Sequence, residues 1–288
     1  MTILARTRLL VREAAEADRQ AIDRLLRFEL RVHRHLDWRT PLDWLGKSPF
    51  LVAEHQGRIV GTLAFPVDPP GVAWLQVFAA STSRSTAEVW EALWGQAQRK
   101  LAAQEGLLVA AIPMQEWLIS LLKQSGFTLA HEVVVLMWSY DQPLEIEMEL
   151  PAVLRQMQAD DLAQVQRVDA SAFTPLWQNS LPSLEQAFQQ SAIASVAEDE
   201  RGLIGYQIST ASHIGAHLAR LAVHPACQRR GIGQALVADL LRQCVYRGIL
   251  RVTVNTQSDN LASLRLYEKL GFRLTGESFP VYIRDARG

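Results

Sequence analysis

Cysteine is scarce: the 288 residues hold two, Cys227 and Cys244. Two cannot build a disulfide framework, so a reducing compartment is expected. An excess of one charge is also missing. Lys and Arg number 29 against 30 Asp and Glu, a formal charge of −1. Such a balance argues against a dedicated nucleic-acid binder. No apolar run reaches the roughly 20 residues that span a bilayer, which argues against a membrane partner. The opening MTILARTRLLVREAAEADRQ turns acidic too soon for a signal peptide. What is present is apolar material: 49% hydrophobic and 20% charged residues, enough for packed cores and against disorder. The composition implies a soluble, cytoplasmic chain, and the length suits two domains of about 144 residues.

The halves repeat each other. Phe50-Leu-Val-Ala-Glu-His-Gln-Gly-Arg-Ile-Val-Gly61 reads like Ala194-Ser-Val-Ala-Glu-Asp-Glu-Arg-Gly-Leu-Ile-Gly205, with Glu54 on Glu198 and Gly61 on Gly205, an offset of 144. Gly126-Phe127 falls on Gly271-Phe272 at 145, and Arg12 with Asp18 on Arg155 with Asp161 at 143. The boundary is expected near Asp141–Pro143, giving domains 1–142 and 143–288. No low-complexity linker separates them.

Periodicity predicts the same element order in each half. A first strand leads to a helical region, 16–36 and 159–189. Two strands joined by a tight turn follow, 50–54 with 58–65 and 194–198 with 202–210. A strand then runs into a long helix, 72–78 into 86–104 and 217–223 into 231–247. A buried strand (107–112; 250–254), a short helix (115–124; 261–270) and a last strand close each half. Ile232, Leu236, Leu240 and Cys244 recur every four residues, so Cys244 reads as core.

The informative stretch is Leu221-Ala-Val-His-Pro-Ala-Cys-Gln-Arg-Arg-Gly-Ile-Gly-Gln-Ala-Leu236. A strand ends near Val223, and Gly231-Ile232-Gly233 opens a helix. Glycines allow close backbone approach, and a helix N-terminus offers unpaired N–H groups and the positive end of its dipole, which suits a pyrophosphate. Arg229 and Arg230 add charge at the rim. Asn260 and Tyr267 follow, before and on a helix ending at Gly271-Phe272.

Gln228-Arg-Arg-Gly-Ile-Gly, then Asn260-x-x-Ser-x-x-x-Tyr267-x-x-x-Gly271-Phe272, closely resembles the GNAT superfamily of acetyl-CoA-dependent N-acetyltransferases. The C-terminal half is similar to the ribosomal-protein alanine acetyltransferases. The resemblance implies an α+β fold of two tandem GNAT-like domains, each a mixed, mostly antiparallel sheet flanked by helices, with strands splayed at the cofactor site. It implies acetyl-CoA as cosubstrate, contacted by the backbone of Leu221, Ala222 and Val223 and by a pyrophosphate loop of Arg229, Arg230, Gly231, Ile232, Gly233 and Gln234. It maps Asn260 to the cofactor arm and Tyr267 to the thioester sulfur. The partner implied is a small-molecule or peptide amine, with the chain a monomer or homodimer.

Acetyl transfer needs a neutral amine, donors for the oxyanion and a proton for the thiolate. By the resemblance, the Val223 N–H is the oxyanion donor and Tyr267 the general acid. In the similar alanine acetyltransferases a glutamate stands five residues before the motif asparagine. Here Asn255 occupies that place, and an amide takes no proton. The base is therefore unassigned: either another group acts, with His224, Glu198, Asp199 and His217 as candidates, or ordered water relays the proton to bulk. The alternative is a non-catalytic acyl-CoA-binding or regulatory module.

The first half reads as a degenerate copy. Ser81-Thr-Ser-Arg-Ser-Thr86 replaces the glycine loop, Gln115 stands for Asn260 and Leu122 for Tyr267. Seven of the eight tryptophans lie before residue 141, which reads as core filling or an aromatic pocket. His33 and His35 lack a third partner for a metal and read as part of a solvated loop.

Overall fold

A computed structural model of the chain describes residues 9–141 and 152–288. They fall into two units: the residues up to Ala130 together with Pro280–Gly288, and His131–Phe279. The expected boundary at 142/143 lies outside the described residues.

The first unit contains β1 (Leu10–Glu13), α1 (Arg19–Phe28), β2 (Arg31–Arg34), β3 (Phe50–His55), β4 (Arg58–Ala64), β5 (Val72–Trp74), β6 (Val77–Ala80), α2 (Thr86–Leu101), β7 (Leu108–Ala111) and α3 (Glu116–Gln124). An antiparallel sheet runs β1-β3-β4-β6-β2. β5 pairs in parallel with β7. Val89, Trp90, Leu93, Trp94, Ala97 and Leu101 make one stripe of α2, buried with Phe65, Phe78 and Phe127.

The next elements are β8 (Thr128–Ser139), β9 (Val153–Gln156), α4 (Leu162–Ala172), α5 (Leu181–Gln189), β10 (Ile193–Asp199), β11 (Gly202–Ser212), β12 (Gly215–Val223), α6 (Ile232–Tyr246), β13 (Arg251–Gln257), α7 (Leu261–Lys269) and β14 (Arg273–Asp285). The second unit's sheet runs β9-β10-β11-β12-β13-β8-β14, with β12 and β13 parallel. Its core joins Leu240, Leu241 and Cys244 of α6 to Val252, Val254, Tyr267 and Phe272. Burial pushes the Cys244 thiol up to about 11, so it is a packing residue.

Each half gives away its last strand. β8 follows α3 in the chain, yet from His131 it pairs with β13 in the second unit, Val133 against Gln257 and Ser139 against Arg251. β14 begins in the second unit, and its residues Tyr282–Asp285 pair with β7 in the first.

The sequence repeat corresponds to repeated contacts. The Arg12 guanidinium holds Asp18 (2.6 Å) and Glu54 (2.8 Å), and that of Arg155 holds Asp161 (2.7 Å) and Glu198 (2.9 Å). Each aspartate also accepts a backbone N–H, of Ala15 or Gln158. A Cβ on Gly61 would overlap Val89, and one on Gly205 would stand 3.2 Å from Ile232 and 3.3 Å from Leu236. In both halves, then, glycine lets the long helix seat on the sheet. Gly126 (φ 81°) and Gly271 (φ 87°) end α3 and α7 in the left-handed region.

Four expectations need correction. The helix expected over 16–36 ends at Phe28, and Arg31–Arg34 form strand β2 on the edge of β6. The region 159–189 is two helices, broken where Thr174 precedes Pro175. The strand expected over 72–78 is two pieces, β5 and β6. His33 is buried and His35 half-buried rather than solvated. His33 Nε2 lies 3.2 Å from Leu75 O, His35 stacks on Trp74 at 5.1 Å, and burial lowers their pKa values to about 4 and about 3.

Candidate active site

β12 pairs with β11 as far as Val223, which stands against Gly205. Its parallel pairing with β13 ends much earlier, at Leu218 against Val254. β13 itself continues to Gln257, paired with β8. β12 and β13 therefore part beyond Leu218. The edge amides facing the gap follow from strand alternation. His224 N–H donates to Ile204 O on β11 (2.8 Å), so Val223 and Leu221 direct their N–H groups to the opposite edge, into the gap. Ala222 faces β11.

After β12 the chain makes a single turn, Pro225–Cys227, opened by the His224 ring accepting from Ala226 N–H (3.3 Å). Gln228 Nε2 donates to Val223 O (3.1 Å), which ties the loop back to the strand end. Arg229 (φ 61°) and Gly231 (φ 82°) are both left-handed, so the loop turns twice before α6 begins at Ile232. No side chain caps α6. The N–H groups of Ile232, Gly233 and Gln234 are first-turn donors without an acceptor in their own helix, and the dipole adds positive potential there.

Gly233 joins three elements. A Cβ on it would stand 3.0 Å from Leu266 Cδ1 on α7 and 3.6 Å from Val223 Cγ2 on β12. Ile232 is buried with Ile204 and Leu236. Arg229 and Arg230 are exposed; Arg230 lies 3.9 Å from Asp199, which also pairs with Arg201. Leu221, Val223 and the run 229–234 thus form one continuous cradle of strand edge and helix start, whereas Ala222, also expected there, turns its backbone N–H and C=O to β11. The residues fit a pyrophosphate followed by an extended arm: unpaired donors, a close-approach glycine and an open strand edge, with arginine at the rim.

Asn260 stands at the start of α7 as its cap. Its Oδ1 accepts from Ser263 N–H (3.2 Å) and its Nδ2 donates to Gln257 (3.4 Å). Tyr267, two turns on, is 4% exposed, packs its ring 5.5 Å from Phe272 and makes no hydrogen bond among the described residues. Burial pushes its phenol well above the usual range, so the hydroxyl holds its proton at neutral pH.

The four side chains considered as base are engaged elsewhere. Glu198 is bound by Arg155. Asp199 is held low by the backbone N–H and guanidinium of Arg201. His217 Nδ1 meets Thr253 Oγ1 at 2.9 Å, and burial lowers its pKa. His224 braces its own turn.

The sequence reading also missed a buried polar cluster on the other face of the sheet. Asp169 of α4 takes the Tyr206 hydroxyl, Arg220 Nε (2.7 Å) and Asn179 N–H (2.8 Å), while Arg220 Nη2 donates to Trp177 O (2.6 Å). Arg220 also lies 3.6 Å above the Phe173 ring. This cluster fixes the α4–α5 connection to β12. Asp169 lies 37 residues from Tyr206 and 51 from Arg220 in sequence, and no short motif announces them.

Residues 162–272 match the acetyltransferase (GNAT) family, and this stretch is a GNAT domain. Over 57 residues the chain is 39% identical to the [ribosomal protein bS18]-alanine N-acetyltransferase of Salmonella typhimurium, which covers 20% of this chain and 38% of that enzyme. Two solved structures follow nearly the whole chain. A GCN5-related N-acetyltransferase from Sphaerobacter thermophilus superposes with TM-score 0.62 at 16% identity, over 97% of this chain and 96% of that one. A tandem GNAT protein from the clavulanic acid biosynthesis pathway does so with TM-score 0.63 at 14% identity, over 96% and 98%. At such identities the likeness is one of fold, and the fold is the α+β tandem GNAT arrangement. No helix among the described residues is long and apolar enough to cross a membrane.

Proposed function

We propose that the chain transfers an acetyl group from acetyl-CoA to an amine, using a single site in the second unit. The observation that carries this reading is the parting of β12 from β13 beyond Leu218, with the uncapped start of α6 at its end. Acetyl-CoA, when bound, supplies the acetyl group as a thioester. Ile232, Gly233 and Gln234 N–H groups hold its pyrophosphate, helped by Arg229 and Arg230. Leu221 and Val223 hold its arm through the open strand edge, and Asn260 flanks it at the start of α7. Val223 N–H serves as the donor for the developing oxyanion. Tyr267, kept protonated by burial, serves as the acid for the leaving sulfur.

Calorimetric titration with acetyl-CoA, paired with a thiol-release assay, tests this reading. The amines are an alanyl peptide, a lysyl peptide, spermidine and glucosamine. Binding with thiol release for at least one amine is expected. Binding without release from any would leave a silent acyl-CoA-binding module.

A further inference from the structure

The gap has a second mouth, on the face opposite α6 and α7. Three strands define its level. β12 and β13 are in parallel register with Leu218 against Val254, and β13 and β8 in antiparallel register with Gln257 against Val133. Ser258 N–H donates to Glu132 O (2.8 Å) and extends the second register. Carried on, these registers set Val223, Asp259 and His131 level with one another. Two strand spacings of roughly 4.8 Å separate Val223 from His131 before the parting is added.

Trp177 lies across this mouth. Its carbonyl is held by Arg220 of β12, and its ring stands 5.8 Å from the His131 ring on β8. His131 Nδ1 is sealed from solvent without a hydrogen bond, 3.9 Å from Asp259 Oδ2, an ionic distance. The side chain as a whole is 31% exposed, and Nε2, unlike Nδ1, is not sealed in without a partner. His131 and Trp138 are seven residues apart on one strand and face opposite sides. Trp138 shares the core of Tyr267, so His131 and Tyr267 reach the gap from opposite faces.

We infer that His131 is the base that takes the acceptor's proton, with Asp259 as its positioning residue; this rests on the acetyl-transfer reading above. The acceptor enters as an ammonium and gives one proton to His131 Nε2. The freed amine forms the N–C bond to the acetyl carbon as the C–S bond breaks, and the thiolate takes the Tyr267 proton. The second amine proton passes through water to the tyrosinate, and His131 releases its own to solvent. One proton is released per amide formed. Asp259 is the charged group facing the ring. Trp177 brings none, Arg220 is committed to Asp169, and Glu132 accepts from Ser278 Oγ (2.7 Å).

The test uses the whole chain with His131→Gln and Asp259→Asn. His131→Gln is expected to keep acetyl-CoA affinity within a few-fold and to lower kcat/KM for the best amine by about 10²-fold at neutral pH, the low end for a positioned base. The loss shrinks as pH rises and the amine deprotonates by itself, so the acidic limb of the wild-type profile is replaced by the amine's own. Asp259→Asn, a change at an exposed side chain, is expected to lower kcat for the same amine while the KM for acetyl-CoA stays within a few-fold, and so gives a second reading should His131→Gln fold poorly. Independently of turnover, the His131 ring resonances, identified by their loss in His131→Gln, shift when acetyl-CoA is added. Turnover with an unchanged rate and limb in His131→Gln, or ring resonances that stay fixed at saturation, overturns the assignment alone. Acetyl-CoA binding by the unaltered chain with no thiol release from any amine overturns the acetyl-transfer reading and the assignment with it.

Discussion

β6 of the first unit and β12 of the second hold the same place in their halves: Gly61 pairs with Ala80 as Gly205 pairs with Val223. Their outer edges differ. Beyond Leu218, the edge of β12 away from β11 has no strand beside it among the described residues, and the Leu221 and Val223 amides face the gap. Along β6 that edge is taken by β2, with Arg31 against Ala80 and Arg34 against Val77. The first unit thus spends its own backbone donors on a strand drawn from the segment after α1. In the second unit the corresponding segment becomes a single turn and α5, pulled to the other face by Arg220 and Asp169. A binding edge can be lost without any change in the strand that carries it, because pairing alone satisfies its donors.

The largest effect expected from this difference is in occupancy. The chain is expected to bind one acetyl-CoA, counted by titration, because among the described residues only the second unit pairs a parted strand edge with a glycine-led helix start. Gly233→Glu abolishes that binding: it adds bulk against Leu266 and Val223 and a negative charge where the phosphates lie. Ser85→Glu, at the start of α2, leaves it unchanged. Two bound molecules per chain, or loss of affinity in Ser85→Glu, would break the contrast between the units.

How far sequence alone could see this depends on the kind of contact. The repeat was legible because Arg12, Asp18 and Glu54, Gly61, and Gly126 each serve a local need that recurs in the second half. The cradle was legible because glycines and a helix start lie within one short run. β2 was not, because Arg31-Val-His-Arg34 has a single fully buried residue, His33, and only its pairing with β6 makes it a strand. His131 was not, because the exchange of last strands carries a residue of the first half to Asp259, 128 positions away in sequence. Nothing near either residue signals that meeting.

A second, smaller effect separates the short helices. Phe127 N–H donates to Leu122 O and Phe272 N–H to Tyr267 O, each at 3.0 Å, so Leu122 and Tyr267 hold equivalent positions. Tyr267→Phe keeps the packing on Phe272 and removes the proton. It is expected to lower kcat about 10²-fold with acetyl-CoA affinity nearly unchanged, read by steady-state kinetics beside calorimetry. An unchanged kcat would place the proton source elsewhere, since a thiol of ordinary pKa near 8.5 leaves readily.

The smallest effect is where the two units are alike. Arg12→Ala and Arg155→Ala remove the same clamp, and each leaves its aspartate with one backbone N–H. Both guanidinium groups are about a third exposed, so solvent screening limits each clamp to about 1 kcal/mol. That corresponds to a fall of roughly 2–4 °C in Tm for a chain of this size. Hydrogen bonds from the arginines hold Asp18 and Asp161 below the ordinary carboxylate range in the folded state. Their stabilisation is therefore fully present above the unfolded carboxyl pKa of about 3.9 and is lost as pH falls through the lower folded values. Thermal unfolding at neutral pH should show the Tm deficit in both variants, and the deficit should shrink as pH falls below the unfolded carboxyl pKa of about 3.9. A deficit in one variant alone would mean that one unit melts ahead of the other, and that the shared clamp supports two units of unequal stability.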